Sequence, residues 1–558
     1  MDFRKAILYG ALIMLSWNLW TKWQEEHQTE VPVVSVAPVT TPTAASAPEV
    51  TPGAIKVADD KLLVPAPAPA SQIVTIDTDV VRIKINTHGG EIVSSELLSY
   101  AESLGDDKKP IELLNDKAET RFVAQSGLMN SGDRQVVIPM FSVPEKNYSL
   151  SSDKDEIQVP LTTTMPNGLV VTKTFIVKRG SYLVNMDMTI KNSSSAAWHG
   201  KVFHQLSRRN PPGQESSMFG IHAYSGAAIS DPKKKLYEKV NFADMAKTPL
   251  DRSIEGGWAA IQQHYFLAAW IPNSKQMNTY YTQDSGDNQF TIGMFGPELS
   301  VEAGQTVNAN AELYAGPELT SVLKKIAPGL DKTVDYGWLW FISSWIFWLL
   351  NQIHHLIGNW GWSIVLVTVL LKAAFYRLSA AAYRSMARMR ELQPRMLALR
   401  ERYGDDKTTL SQKTMELYRT EKINPLGGCL PILIQIPVFI GLYWVLLESV
   451  ELRHAPFMFW LKDLSANDPY FVLPILMGLS MLVQQRLNPA PPDPTQAKVM
   501  MFLPVIFTGL FLYFPSGLVL YWLVNNVLSI AQQWYIMKTH SQRGTGIAKN
   551  KPNYGSSR

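Results

Sequence analysis

The sequence predicts a polytopic α-helical membrane protein with six spans and a large all-β domain on the outer side of the membrane. Two features of the 558 residues lead to this fold class. Only 18% of them are charged, against roughly 25% in soluble domains, while 46% are hydrophobic. The apolar residues of the C-terminal half are gathered into long runs, at 338–350, 362–376, 426–447, 471–483, 499–514 and 518–537.

Composition already excludes several classes of protein. A single cysteine rules out an intramolecular disulfide and any zinc site with two or more cysteines. The formal net charge of +4 and the pI of 8.7 are too mild to indicate a nucleic-acid-binding protein, and no DNA partner is expected. At about 100–200 residues per domain, the length predicts several domain-sized units.

The N-terminus reads as a membrane anchor. Arg4 and Lys5 precede the apolar stretch 6–20, whose end carries Trp17 and Trp20, as at a membrane interface. The length also suits a cleaved signal peptide, but no small-x-small cleavage site follows. We interpret 1–24 as an uncleaved anchor with a cytoplasmic N-terminus. Residues 25–70 are predicted to form an extended periplasmic linker because they contain many prolines, at 32, 38, 42, 48, 52, 65, 67 and 69.

Residues 71–320 have the alternating pattern of β-strands. Val81, Ile83 and Ile85 alternate with Arg82 and Lys84, which indicates a strand with one buried face. Further along, Pro166-Asn167-Gly168 is a turn signal between two apolar runs. A stretch of this length predicts one large antiparallel sandwich, whose core is big enough to fold without disulfides.

The apolar run after the β domain is interrupted by polar residues and glycines. We interpret 338–357, within the segment 321–361, as an amphipathic helix in the membrane interface, because its tryptophans recur at helical spacing. Gly358 and Gly361 then break the helix, and the second span follows at 362–384. The alternative, in which the span begins at Trp338, stays open at this point.

Charge sets the predicted orientation. The loop 377–422 holds eleven Lys or Arg against six Asp or Glu, which places it in the cytoplasm. Residues 385–424 are expected to form a cytoplasmic helical hairpin, 425–540 the third to sixth spans, and 541–558 a basic cytoplasmic tail. Both termini are therefore predicted inside and the β domain outside.

Lys372 is the residue that most demands an explanation. It lies ten residues into the second span, about 15 Å along a helix, where a cation costs roughly 2.5–3.5 kcal/mol on insertion scales. Other intramembrane polar residues accompany it, namely Thr368, Gln435, Asn525, Asn526 and Ser529. Together they predict a hydrated cationic cavity. The alternatives are a lysine that snorkels to the cytoplasm and polar residues that join helices.

The predicted hairpin has an apolar seam and a basic outer face. Met386, Met389, Leu392, Met396 and Leu399 follow three- and four-residue steps, and Asp406 is placed to cap the returning helix. Arg388, Arg395, Arg400 and Arg402 are candidates for docking an anionic partner, either lipid or ribosomal RNA. A hairpin that only stabilises itself remains the alternative.

No catalytic signature is present. The sequence lacks the phosphate-binding, dinucleotide-binding, zinc-protease and nucleophile-elbow motifs, and its histidines are scattered. We therefore expect no enzyme activity, no cofactor and no metal.

Three motifs resemble the YidC insertases of the YidC/Oxa/Alb family, in their Gram-negative form. They are 424–431 continuing through 435–437, 514–522 and 336–341, and the resemblance runs in order through 330–540. It implies a conserved core of five helices and a periplasmic β-supersandwich. It also implies an inner-membrane insertase and chaperone for nascent membrane proteins, acting alone or with the Sec translocon. The groove would open to cytoplasm and lipid, and the ribosome would dock on the hairpin and tail.

The resemblance also assigns residues. Lys372 stands where many members have arginine, so the charge is kept and the planar fork is lost. Thr368 would lie on the groove side. The implied substrate-contact surface consists of Ile436, Pro437, Phe439, Tyr521 and Trp522, with Trp522 where members often have tyrosine.

Two rival functions remain open from the sequence alone. A solute transporter would also use intramembrane polar residues, although no inverted repeat is visible. A membrane-anchored carbohydrate enzyme would need paired carboxylates in the β domain.

Overall fold

The structure is a computed structural model that describes residues 71–105, 109–131, 136–210, 224–404, 406–421, 430–488 and 494–548. Side chains at 137, 407, 430–434, 494–496 and 540–548 are left out of the description. The predicted anchor 1–24, the linker 25–70 and the motif residues 424–429 lie outside the described residues.

The β region consists of two sheets. Its strands are β1 Ile73–Asp77, β2 Val81–Asn86, β3 Glu91–Ala101, β4 Pro110–Leu114, β5 Phe122–Asn130, β6 Val136–Val137, β7 Asn147–Ser149, β8 Glu156–Thr164, β9 Leu169–Lys178, β10 Leu183–Asn192, β11 Trp198–Arg209, β12 Gly226–Asp231, β13 Lys235–Val240, β14 Asp251–Glu255, β15 Trp258–Gln262, β16 Phe266–Pro272, β17 Met277–Asp284, β18 Gln289–Phe295, β19 Leu299–Val301 and β20 Thr306–Pro317. The 12-stranded sheet follows the order β14-β17-β18-β11-β5-β3-β2-β1-β7, with β19, β4 and β6 beside it, and the 8-stranded sheet the order β13-β12-β15-β16-β20-β10-β9-β8. This architecture confirms the prediction of a large β-rich domain.

Alternation along the strands explains why the sheets form. In β9 every second residue is buried, from Leu169 to Val177, and the turn before it places Gly168 at φ +81°, a conformation that favours glycine. The buried faces of both sheets belong to one hydrophobic core. Except for the parallel pair β1–β7, the strand pairs are antiparallel.

One lysine interrupts this core. Lys173 occupies an inward position of β9 and is 1% exposed. Its Nζ donates hydrogen bonds to Gly89 O at 2.7 Å, Ser126 O at 2.6 Å and Ser126 Oγ at 3.0 Å. Burial lowers the pKa of Lys173 to about 7. The amine is tolerated because backbone carbonyls satisfy its donors.

The rest of the described chain is mainly helical. The helices are α1 Phe242–Met245, α2 Thr320–Ile326, α3 Trp340–Ile357, α4 Trp360–Ala374, α5 Tyr376–Glu391, α6 Gln393–Tyr403, α7 Lys407–Thr420, α8 Leu430–Glu448, α9 Val472–Leu487, α10 Pro494–Phe511 and α11 Ser516–Ala548. Within the described residues, no single helix has both the length and the apolar character needed to cross a membrane alone. The bent pair α4 and α5 meets that measure jointly.

The break between α3 and α4 follows the prediction. Helix α3 ends at Gly358 with φ +72°, and the Asn359 side chain caps α4 by accepting a hydrogen bond from Trp362 N at 3.1 Å. Helix α3 buries Ile346, Leu350 and Ile353 and exposes its tryptophans.

The predicted second span differs from the structure. We expected one helix over 362–384, whereas the chain bends by 68° at Phe375, between α4 and α5. No proline or glycine stands at the bend. Helix α5 turns to pack on α11, where Ala380, Tyr383 and Ile536 form a small apolar cluster.

The connection between α8 and α9 docks on the β domain. Arg453 donates to Ala101 O at 2.8 Å and to Glu102 O at 3.1 Å. His264 Nε2 bonds Leu447 O at 2.8 Å. At the end of β20, Glu318 is 2% exposed and accepts a hydrogen bond from Gln262 Nε2 at 3.1 Å. Burial raises the pKa of Glu318 to about 8.

The raised pKa of Glu318 predicts a pH-dependent stability. The folded chain holds this proton up to about pH 8, whereas the unfolded chain releases it near its ordinary pKa. The stability that the protonated carboxyl contributes is therefore lost as pH rises through 8. We expect Glu318→Gln to become progressively more stable than the unsubstituted chain between pH 5 and 8.5, measured by denaturant unfolding of the full chain in detergent. The exposed Glu302→Gln is the control, and parallel pH profiles for both variants would contradict the assignment.

Candidate functional site

A connected chain of hydrogen bonds links α4, α8 and α11. Lys372 Nζ on α4 donates to Ser529 Oγ on α11 at 2.6 Å. Ser529 Oγ donates to Asn525 O at 2.6 Å. From α8, Gln435 Nε2 donates to Asn525 Oδ1 at 2.7 Å and to Tyr521 Oη at 2.9 Å. We call Lys372, Ser529, Asn525, Gln435 and Tyr521 the polar chain.

Helical spacing explains how these side chains meet. Tyr521, Asn525 and Ser529 follow one another at intervals of four residues, so they share one face of α11. Thr368 and Lys372 have the same spacing on α4. Thr368 is 1% exposed, and its hydroxyl donates to Ile364 O at 2.7 Å. Thr368 therefore contributes a satisfied polar surface rather than a free donor.

A narrow cavity lies against the polar chain. Its lining includes Thr368, Lys372, Gln435 and Tyr521 together with apolar residues such as Phe375. The cavity has room for water centres in about 20 Å³, and roughly 10–15 Å³ is needed to hold one water. The described conformation thus offers Lys372 space for about one water, which is less than the broad hydrated groove that we expected.

Asn526 is the predicted groove residue that the structure places elsewhere. Its Nδ2 donates to Ser480 Oγ on α9 at 3.0 Å. Successive helical residues point about 100° apart, so Asn526 faces α9 while Asn525 faces α8. One turn further, Gln533 Nε2 donates to Asn488 Oδ1 at 3.0 Å on the same side. This second polar contact, with Gln533 fully buried, is one that the sequence analysis missed.

The predicted substrate-contact residues differ in exposure. Ile436 is 45% exposed, whereas Tyr521 is 1% exposed. Pro437, Phe439 and Trp522 are partly buried, and Phe439 meets Trp522 edge to face at 4.7 Å between ring centroids. Tyr521 cannot lie on an open contact surface in this conformation, because its hydroxyl is engaged by Gln435.

The cytoplasmic hairpin has a break that was not predicted. Its first arm is divided at Leu392 into α5 and α6, and Pro394 stands in the first turn of α6, where proline is tolerated. The second arm, α7, begins as predicted at Asp406, whose side chain accepts hydrogen bonds from Thr408 N at 3.0 Å and Thr409 N at 3.1 Å.

The four arginines proposed for docking are exposed. Arg395 forms an ion pair with Glu421 at 2.6 Å, and Arg402 lies over the Tyr403 ring at 5.6 Å. Arg388 lies on α5 and Arg400 on α6. The hairpin therefore presents positive charge on both helices of its first arm, which suits an anionic surface.

The described residues contain no cluster of His, Cys, Asp and Glu suited to a metal ion. The polar chain has a base, hydroxyls and amides, but no carboxylate partner for Lys372 among the ion pairs of the described residues. Its chemistry is hydrogen bonding and electrostatic attraction.

Comparison with known proteins gives the class first. Residues 73–349 match the family described as YidC periplasmic domain, and residues 352–543 the family described as 60Kd inner membrane protein. The chain is thus a membrane protein with a large β-rich periplasmic domain and a helical C-terminal region.

Individual relatives extend over the whole chain. The membrane protein insertase YidC of Legionella pneumophila (strain Paris) is 50% identical over 547 residues, covering 97% of this chain and 98% of that protein. The insertase YidC of Coxiella burnetii (strain Dugway 5J108-111) is 46% identical over 552 residues, covering 97% of each. The chain belongs to the YidC family of membrane protein insertases.

A solved structure is also similar. The crystal structure described as an active YidC insertase with the first transmembrane domain resolved is 19% identical, with a TM-score of 0.39. The match covers 84% of this chain and 95% of that one.

The polar chain predicts the effect of a substitution at Gln435. In Gln435→Leu, Tyr521 Oη and Asn525 Oδ1 lose their shared donor inside the helical region, and an unsatisfied buried polar group costs about 1–3 kcal/mol. We expect a lower thermal unfolding midpoint for the full chain in detergent. The neighbouring exposed residue provides the control Ile436→Leu, and an equal midpoint for both variants would show that the polar chain does not stabilise the helices.

Proposed function

We propose that this chain inserts nascent membrane proteins into the bacterial inner membrane and assists their folding. The observation that carries the proposal is the engaged but unpaired charge of Lys372, held by Ser529 at 2.6 Å beside a small cavity. Membership of the YidC family supports it. Neither rival function is supported, because the full-length relatives are insertases and not transporters or enzymes.

Lys372 attracts the substrate. A short, often acidic, outward-going segment of a nascent chain enters from the cytoplasm and exchanges water for contacts with the ammonium group. An opposite charge within a few ångströms is worth more in this environment than in bulk water. The amine has three donors and Ser529 engages one of them, so the amine keeps capacity for a carboxylate.

Opening of the polar chain makes room for the segment. The cavity holds about one water in the described conformation, so the substrate must separate α4 from α8 and α11 or displace Gln435. The hydrogen bonds of Gln435 to Tyr521 and Asn525 are the contacts that reclose it. Ile436, Pro437, Phe439 and Trp522 then support the apolar helix of the substrate, which moves into lipid because burial in hydrocarbon is favourable.

The topology completes the proposal. Six spans, cytoplasmic termini and a periplasmic β domain follow the charge distribution of the sequence. The arginines of the hairpin and the basic tail dock the ribosome or anionic lipid, and the Sec translocon is the proposed membrane partner. No cofactor or nucleotide takes part.

The charge-attraction step is tested by substitution of Lys372. Lys372→Ala and Lys372→Glu are each expected to reduce insertion of a substrate with an acidic outward segment by tenfold or more, with Lys372→Glu the more severe because it repels that segment. The assay is protease protection in vesicles containing the purified chain.

A matched control distinguishes attraction from general charge loss. Arg377 is an exposed cation five residues away, and Arg377→Ala should leave insertion within twofold of normal. A substrate whose outward segment is neutral should be less sensitive to Lys372→Glu. Unchanged insertion of the acidic substrate by both Lys372 variants would refute the step.

Exposure predicts where substrate crosslinks form. A photoreactive residue at Ile436, which is 45% exposed, should crosslink to a stalled nascent chain more strongly than one at Tyr521, which is 1% exposed. Ile475 on α9 is equally exposed and serves as the control for contact with lipid alone. Stronger crosslinks from Ile475 than from Ile436 would remove α8 from the contact surface.

A further inference from the structure

The β domain contains a cavity that the insertion mechanism does not use. It measures about 270 Å³ and is lined by both sheets, including β11 and β17 of one and β16 and β20 of the other. Its polar side chains are uncharged and mostly carboxamides: His204, Asn273, Gln276, Asn278, Asn308 and Asn310. No Lys, Arg, Asp or Glu lines it among the described residues.

His204 gives the cavity an unsatisfied polar atom. The side chain is 6% exposed, and its Nδ1 has no hydrogen-bond partner within the described chain. The ring lies against Trp270 at 4.9 Å between centroids. Burial, with the charge of Lys173, lowers the pKa of His204 to about 3, so the imidazole is neutral. A buried nitrogen without a partner is uncommon in folded proteins and points to a missing ligand or water.

A strand edge borders the same cavity. Asn308, Ala309 and Asn310 are consecutive in β20 and all line it. Neighbouring strand residues point to opposite faces, so a cavity that touches three in a row lies along the strand edge. On its other side this stretch pairs with β10. Its pairing with β16 begins only at Ala311, opposite Pro272.

Pro272 explains why the edge stays open. Proline has no N–H for the ladder, and β16 ends there. Residues 306–310 of β20 thus have no strand neighbour on the cavity side in the part of the chain that the structure describes. Five strand residues extend over roughly 17 Å, which matches a peptide of four to six residues.

We propose that this cavity binds an extended, uncharged peptide segment, which pairs with the edge of β20 while the carboxamides and His204 bond its polar groups. A peptide fits better than a sugar because its alternating N–H and C=O groups match a strand edge. The proposal goes beyond the insertion function, and it makes the outward-facing segments of inserted proteins a ligand class for the β domain.

Fluorescence anisotropy of a labelled peptide tests the site directly. The probe is a six-residue peptide of alternating Thr and Val, titrated with the full chain in nanodiscs. A Cβ at Gly296 would lie 3.0 Å from Gln276 Nε2, so Gly296→Val fills the cavity. We expect saturable binding that Gly296→Val weakens at least tenfold. Gly105→Val, where the nearest atom is 3.7 Å away, should bind as the unsubstituted chain does.

A second variant covers the case in which Gly296→Val misfolds. His204→Phe keeps a ring on Trp270 but removes both nitrogens, and it should weaken binding about fivefold with an unchanged circular dichroism spectrum. Equal binding by His204→Phe and the unsubstituted chain, or no saturable binding, would overturn the proposal. So would binding of free galactose that Gly296→Val abolishes while the peptide fails to bind. Because Lys372→Ala should bind the peptide normally, failure here is separate from failure of the insertion mechanism.

Discussion

The helical region depends on the way in which one buried ammonium group is satisfied. Lys372 has three donors in apolar surroundings, and an unpaired donor there costs far more than one in water. Ser529 accepts one donor, and the adjacent cavity has room for about one water. Arginine would bring five donors to the same space, so the lysine fits this cavity better than the residue that many relatives carry. The charge is thus held by α11 and is available to whatever enters beside it.

The bend at Phe375 connects this site to the cytoplasmic hairpin. It lies three residues after Lys372, and it directs α5 onto α11 through Ala380, Tyr383 and Ile536. Helix α11 therefore carries both the hydroxyl that holds Lys372 and the surface that supports the first arm of the hairpin. A partner that moves the hairpin would act on the same helix that positions Ser529. This arrangement gives docking at the arginines a physical route to the polar chain.

Local patterns predicted the secondary structure well, whereas the partners of each element depended on long-range packing. Alternation predicted β9 and its turn, and spacing by four residues brought Asn525 and Ser529 together. The pattern also places Lys173 on the core face of β9, between Val171 and Phe175, although the carbonyls that satisfy it come from distant strands. The bend at Phe375 has no proline or glycine to announce it. The burial of Tyr521 and the orientation of Asn526 follow from which helix lies beside each face, which no local pattern contains.

Strand β20 relates the two halves of the described chain. Its first residues form the open edge beside the amide-lined cavity, and its last residue, Pro317, precedes Glu318 at the junction with the helices. Around that junction, Arg453 and His264 bind the α8–α9 connection to the β domain through backbone groups. A twelve-residue strand extends over roughly 40 Å and is stiff because β10 pairs along it. A peptide added to one end of β20 would therefore order the strand that leads directly to the helical region, so occupancy of the β domain and the position of α8 are mechanically connected.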